Sequence, residues 1–135
     1  MECITISRMT PTDIPEVKTL VNSLSIEGNG DYYFNDICLV AKFYNRELGV
    51  RHVVGCGFLY LLKKINGKTV AQIEDVVTHP SYRRNNIATE ILSALTIEAS
   101  KAGAYKVVLN CEESLIPFYE KCGFRKSAQQ MRIDL

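Results

Sequence analysis

The sequence predicts an α+β architecture in three layers: a mixed, mostly antiparallel twisted sheet with helices on its two faces. Three observations carry this prediction. Strand-like runs, one of them with period-two alternation at Cys3 to Arg8, fill much of the chain up to Val77, and an Asn66-Gly67 turn joins two of them as a hairpin. A stretch of helical period follows from about Asn86 to Ala102. A short apolar strand comes after it, and a helix between two such strands is the pattern of a crossover between parallel neighbours.

Taken in order, Cys3 to Arg8 alternates Ile4 and Ile6 with polar residues and reads as a half-buried strand. Thr10-Pro11-Thr12-Asp13 is a helix start, with a hydroxyl N-cap, an early proline and an acid at the positive dipole end. That helix is expected to run to about Leu24 on Ile14, Val17, Leu20 and Val21. Gly28 to Phe34 is a glycine-rich connection ending in aromatics, of the kind that borders binding sites. Ile37 to Tyr44 and Val50 to Leu62 form a hairpin about the turn Asn45 to Gly49. Gly55 and Gly57 in its second strand are compatible with a bulge, a close backbone approach or simple twist. Thr69 to Val77 is the next antiparallel strand, and Thr78 to Tyr82 a turn. The following helix aligns Ile87, Ile91, Leu95 and Ala99 and stops at Gly103. Tyr105 to Cys111 is a strand, Ser114 caps a short helix that ends at Cys122-Gly123, and Ala128 to Leu135 is a closing strand.

Composition bounds the function. With 135 residues and 47% hydrophobic content, one compact domain spanning residues 1–135 is expected. Sixteen basic residues against 15 acidic ones give a net charge of +1, so no overall field recruits nucleic acid or a membrane, and any anion site must be local. The five cysteines are odd in number and spread out, without CxxC spacing. Neither a metal site nor a disulfide framework is expected, and a reducing, cytoplasmic setting is. The N-terminus lacks an apolar signal region, and no apolar run approaches the roughly 20 residues of a membrane span.

The stretch Ile73 to Ala88 concentrates the chemistry: an apolar strand, a turn, and an arginine pair at a helix start. Orphan N–H groups and the helix dipole make such a corner a holder of phosphate groups, with Arg83 and Arg84 adding charge. Without further context the pair reads equally as a solvated turn.

The context is a resemblance. Arg83-Arg84-Asn85-Asn86-Ile87-Ala88 resembles the diphosphate-binding R/Q-x-x-G-x-G/A signature of the GNAT superfamily of acetyl-CoA-dependent N-acetyltransferases, and the surrounding elements follow that family's order. More narrowly, Ile73 to Val77, Ala104 to Cys111 and Phe118 to Phe124 are similar to the eukaryotic glucosamine-6-phosphate N-acetyltransferases. The resemblance implies a splayed parallel strand pair, acetyl-CoA as cosubstrate, an amino-sugar phosphate as acceptor, and a homodimer in which the terminal strand completes the partner's acceptor site. It places the cosubstrate on Val76, Val77 and Thr78, on Arg83, Arg84, Asn85, Asn86, Ile87, Ala88 and Thr89, and beside Tyr119. It implies direct attack by the amine, with Tyr119 as general acid and Glu74 as the acceptor-side acid. Asp75, Lys106, Asn110 and Arg132 are the further acceptor residues.

Each role has a plainer alternative. Strand alternation sends Glu74 and Asp75 to opposite faces, so only one is expected to meet substrate. Lys106 is either a phosphate contact or a solvated lysine, and His79 a surface turn residue or a base. Cys111 and Cys122 are expected to be small buried hydrophobes rather than nucleophiles. The chain also departs from the family pattern. Asn86 replaces the first motif glycine, a change that asparagine's tolerance of left-handed backbone accommodates. Asn110 stands where the sugar enzymes carry aspartate, and Asp134 where they carry an arginine, with Arg132 two residues earlier on the same strand face.

Overall fold

In the computed structural model, which describes residues 2–24 and 36–135, one sheet orders its five strands as β1-β2-β3-β4-β5. The strands are β1 (Glu2–Arg8), β2 (Ile37–Asn45), β3 (Val50–Lys63), β4 (Thr69–Thr78) and β5 (Ala104–Val108). The first four form an antiparallel meander, and β5 joins β4 in parallel. Helices α1 (Ile14–Asn22), α2 (Ile87–Lys101) and α3 (Ile116–Lys121) complete the fold, with short 3-10 turns at Pro11–Asp13, Pro80–Tyr82 and Glu113–Leu115. The expected mixed sheet is therefore present. The connection 28–34 lies outside the described residues.

One face of the sheet carries α2. Its buried Ile87, Ile91, Leu92, Leu95 and Ala99 interdigitate with Leu39, Ala41, Val54, Leu59, Ala71 and Ile73. The helix can sit close because two β3 positions beneath it, Gly55 and Gly57, carry no side chain. A Cβ on Gly57 would lie 2.7 Å from Ile91 Cγ2, and one on Gly55 would lie 2.8 Å from Ile87 Cγ2. Two of the readings open for these glycines hold: close backbone approach sets the height of α2's N-terminus above the sheet, and both lie beside ladder irregularities, Gly57 opposite a bulge in β4.

The other face carries α1, where Val17 and Leu20 pack on Cys38, Val40, Val53, Cys56 and Val77. Within this apolar layer lies a buried ion pair: Lys42 Nζ is 2.9 Å from Asp13 Oδ2. Asp13 also closes the helix start, accepting from the Thr10 backbone N–H at 2.8 Å and from the Thr10 hydroxyl at 2.9 Å. Nearby, the β2–β3 ladder skips a residue after Ala41, and Glu16 Oε2 accepts the Val53 N–H at 2.9 Å. This polar pinning fastens α1 to the sheet where propensity alone could not orient it.

Three sequence expectations are corrected. The chain after α3 forms no strand: Ala128 to Leu135 has no ladder partner and is exposed, with Met131, Ile133 and Leu135 at 88%, 86% and 120% of full exposure. A strand persists when its backbone pairs and one of its faces is covered, and within a single chain this segment gains neither. The short helix is not capped by Ser114, which lies inside the preceding 3-10 turn; Leu115 is its N-cap residue and makes no side-chain cap bond. Finally, β5 ends at Val108 instead of Cys111, because β4 has by then turned away from it.

Candidate active site

The parallel pairing of β4 and β5 is short. It runs from Thr69 opposite Ala104 to Gln72 opposite Val108 and stops, while β4 continues to Thr78. From Ile73 onward, the β5-side edge of β4 has no strand partner among the described residues. The cause is visible in β4. Between the pairs Phe58–Glu74 and Cys56–Val77, β3 contributes only Gly57 while β4 contributes Asp75 and Val76. This is a bulge, and Asp75 adopts a left-handed φ of 52° within it. An extra residue bends the strand and resets its side-chain parity. Val76 packs with the α2-side core and Val77 with the α1-side core. Asp75 and Val76 have no ladder partner on β3, although the Asp75 carbonyl still accepts from the Cys56 thiol at 3.6 Å.

The bulge takes Asp75 out of the regular alternation that relates it to Glu74. Both carboxylates act on the Tyr60 phenol, which burial first and Asp75 next push up to about 12. Asp75 itself is held above its ordinary carboxyl range by burial. Glu74 is exposed and accepts a hydrogen bond from Gln72 Nε2 at 3.1 Å. Of these two adjacent acids, Asp75 is the desolvated one and Glu74 the wet one.

At the end of β4 the chain is tied back by the His79 N–H, which donates to the Val54 carbonyl at 2.7 Å. It then turns through Pro80–Tyr82 into a tight loop. Asn85 Nδ2 donates to the Tyr82 carbonyl at 2.9 Å, and Arg84 and Asn86 take left-handed φ values of 73° and 57°. The first backbone bond of α2 runs from the Glu90 N–H to the Asn86 carbonyl. The N–H groups of Ile87, Ala88 and Thr89 thus belong to the orphan donors of a helix start. A cavity of about 190 Å³ opens here, lined by Thr78, Arg83, Arg84, Asn86, Ile87, Ala88 and Thr89. Two further lining residues, Tyr82 and Phe118, were not anticipated from the sequence. The Thr78 hydroxyl is buried and without a hydrogen-bond partner, a polar atom left open at the cavity wall. Positive side chains, converging N–H donors and an orphan hydroxyl fit a diphosphate group.

Helix α3 closes the splay from the far side. Phe118 and Tyr119 lie ring-edge to ring-face at 5.0 Å, and Phe124 meets Tyr119 in the same manner at 6.0 Å. Burial, and then the Cys111 and Cys122 thiols, hold the Tyr119 phenol above its usual range, so it remains a proton carrier. Cys111 is exposed, contrary to the expectation that it is a buried hydrophobe, whereas Cys122 is partly buried. The fully buried thiols are Cys38 and Cys56. Burial pushes both up, Cys56 to about 12, which leaves them protonated and unsuited to nucleophilic attack.

Not every predicted acceptor residue converges on the splay. Asn110 follows β5 on the diverging arm and is exposed. Lys106 pairs with Val70 at the opposite end of β5, and its Nζ lies over the Tyr105 ring at 5.4 Å. Arg132 is on the exposed C-terminal segment, where its Nε donates to Asp134 Oδ1 at 2.7 Å. The splay and anion corner are assembled within this chain; Lys106 and Arg132 are not brought to them.

A parallel strand pair that parts beside a bulge, with an anion corner at the end of β4 and a half-buried phenol on α3, is the arrangement of an acyltransferase. The chain belongs to the acetyltransferase (GNAT) family, whose model matches residues 19–124. It is 30% identical over 136 residues to glucosamine 6-phosphate N-acetyltransferase 1 of Dictyostelium discoideum, covering 99% of this chain and 81% of that protein. The crystal structure of an acetyltransferase from Trypanosoma brucei superposes with a TM-score of 0.83 at 29% identity, over 98% of this chain and all of that one (100%). A glucosamine-6-phosphate N-acetyltransferase from Arabidopsis thaliana shares the fold at the same TM-score, 0.83, with 22% identity and 98% of each chain covered.

Proposed function

We propose that this protein transfers the acetyl group of acetyl-CoA to the amine of D-glucosamine 6-phosphate within a ternary complex. The observation that carries the reading is the β5-side edge of β4, unpaired from Ile73 onward and running from Glu74 and Asp75 to the anion corner at Arg83 and Arg84. The choice of acceptor is supported by relatives from Dictyostelium discoideum, Trypanosoma brucei brucei and Schizosaccharomyces pombe that bear the name glucosamine 6-phosphate N-acetyltransferase.

In this reading the first turn of α2, with Arg83 and Arg84, holds the diphosphate, and the Thr78 hydroxyl takes a polar group of the pantetheine arm. The Val76 N–H, which lies outside the β3–β4 ladder, binds the thioester oxygen and stabilises it as negative charge develops. Glu74 draws a proton from the acceptor ammonium through water, freeing the nitrogen lone pair to attack the carbonyl carbon. As the C–S bond breaks, Tyr119 gives its proton to the departing thiolate, and the second proton shed by the attacking nitrogen restores the phenol through water. Asp75 and Asn110 flank the amine. The acceptor phosphate is assigned to Arg132 of a partner copy across a homodimer, and Lys106, in the paired part of β5, is left out of the acceptor site. The exposed C-terminal segment, whose Met131, Ile133 and Leu135 alternate as a strand's covered face would, is the part offered to a partner copy.

The test follows CoA release from acetyl-CoA with a panel of amines. Glucosamine 6-phosphate is expected to be turned over in preference to glucosamine, polyamines and peptides. Turnover on unphosphorylated amines alone would overturn the acceptor assignment, and a monomer by light scattering at working concentrations would overturn the dimer.

A further inference from the structure

The net charge of +1 conceals a local concentration of lysine at the end of the sheet remote from the anion corner. The β3–β4 hairpin carries Lys63, Lys64 and Lys68, and β5 carries Lys106 beside it. None of the four forms an ion pair among the described residues. The register joins them into one surface: Lys63 pairs with Thr69, and Thr69 with Ala104. Two exposed apolar groups stand among them. Ile65 at the hairpin tip is 109% exposed, and Tyr105 is 56% exposed with Lys68 Nζ at 5.3 Å and Lys106 Nζ at 5.4 Å from its ring centre. The 15 residues of α2 hold this surface about 22 Å from the diphosphate loop, so an occupant here leaves the cleft open.

A protruding aliphatic tip ringed by unpaired ammonium groups fits a soft anionic boundary. A single-stranded nucleic acid would need a free aromatic face for stacking, and the Tyr105 ring is already attended by two lysines. A folded acidic protein would need a pocket shaped to receive Ile65, whereas a lipid headgroup layer yields to it. We propose that the β3–β4 hairpin docks this protein on an anionic lipid bilayer, with Ile65 entering the headgroup layer and Lys63, Lys64, Lys68 and Lys106 meeting lipid charges. Tyr105 lies at the level where ring and hydroxyl span the interface.

The test is co-sedimentation of the full chain with vesicles of phosphatidylcholine alone and of phosphatidylcholine with phosphatidylserine, at low and high salt, alongside a short RNA as a competing polyanion. Binding is expected on the phosphatidylserine vesicles only, and it weakens with salt. Lys64→Ala and Lys68→Ala each lower the partition coefficient about 5-fold, and Ile65→Ser lowers it about 10-fold. Leu48→Ser, at another exposed turn, leaves binding unchanged, and acetyl-CoA binding by all variants confirms folding. Equal binding to neutral vesicles, no binding to anionic ones, or insensitivity to the lysine and Ile65 variants overturns the proposal. RNA binding without lipid binding also overturns it and reassigns the surface to a polyanion.

Discussion

Replacing Lys42 with methionine should be the most damaging small change that leaves the cleft residues untouched. Lys42 and Asp13 are 2.9 Å apart, with side chains only 5% and 8% exposed. The substitution keeps much of the apolar stem and removes the ammonium, so Asp13 remains in the α1 layer with only Thr10 as its partner. Breaking a buried pair from one side costs about 3–5 kcal/mol, because the remaining charge is desolvated and uncompensated. With an unfolding entropy of about 2.1 cal/mol/K per residue, a chain of this length should melt roughly 11–18 °C lower. Thermal unfolding by circular dichroism reads this directly. The sign of the pH dependence supplies a second check. Burial alone would raise the Asp13 carboxyl, but the Thr10 N–H, the Lys42 ammonium and the Thr10 hydroxyl outweigh it and hold the carboxyl below its usual range. The pair's stabilisation is thus complete above the unfolded pKa of about 3.9 and is lost as pH falls through the lower folded value. Without Lys42, burial dominates and protonation of Asp13 relieves the strain. The gap between wild type and Lys42→Met should narrow as pH drops below about 5. Asp13→Asn combined with Lys42→Met should recover much of the loss. A deficit under about 1 kcal/mol near neutral pH, a cost expected only of an exposed pair, would refute the reasoning. So would a deficit that does not change with pH.

Two further outcomes follow from the cleft. Tyr119→Phe should lower kcat about 10²–10⁴-fold with little change in the KM for acetyl-CoA. Because burial and two thiols raise the Tyr119 phenol, its own loss of activity should appear only above pH about 10; an alkaline limb below that, abolished by Tyr119→Phe, would remove it from this role. Asn86→Gly should leave the diphosphate loop intact, whereas Asn86→Val places a branched side chain at a φ of 57° and should cost about 1–2 kcal/mol while raising the KM for acetyl-CoA. Equal KM values for the two variants would show that the loop does not need the left-handed turn.

What the sequence determined by itself was local. The meander, the crossover helix and the anion corner were legible because each rests on short-range signals: period-two alternation, the Asn66-Gly67 turn, a glycine stop at Gly103, and an arginine pair before a helix. The left-handed turn at Asn86 could be anticipated too, since asparagine tolerates that backbone. The tertiary structure decided what depends on neighbours. The bulge at Asp75 has no signature of its own. It arises where β3 offers one residue, Gly57, against two of β4, and it interrupts the alternation after Glu74. The Asp13–Lys42 pair joins residues far apart in the chain and looked like an ordinary cap and an ordinary strand lysine. The C-terminal segment alternates like a strand and forms none, because a strand is a relation between two backbones and this chain supplies only one of them there.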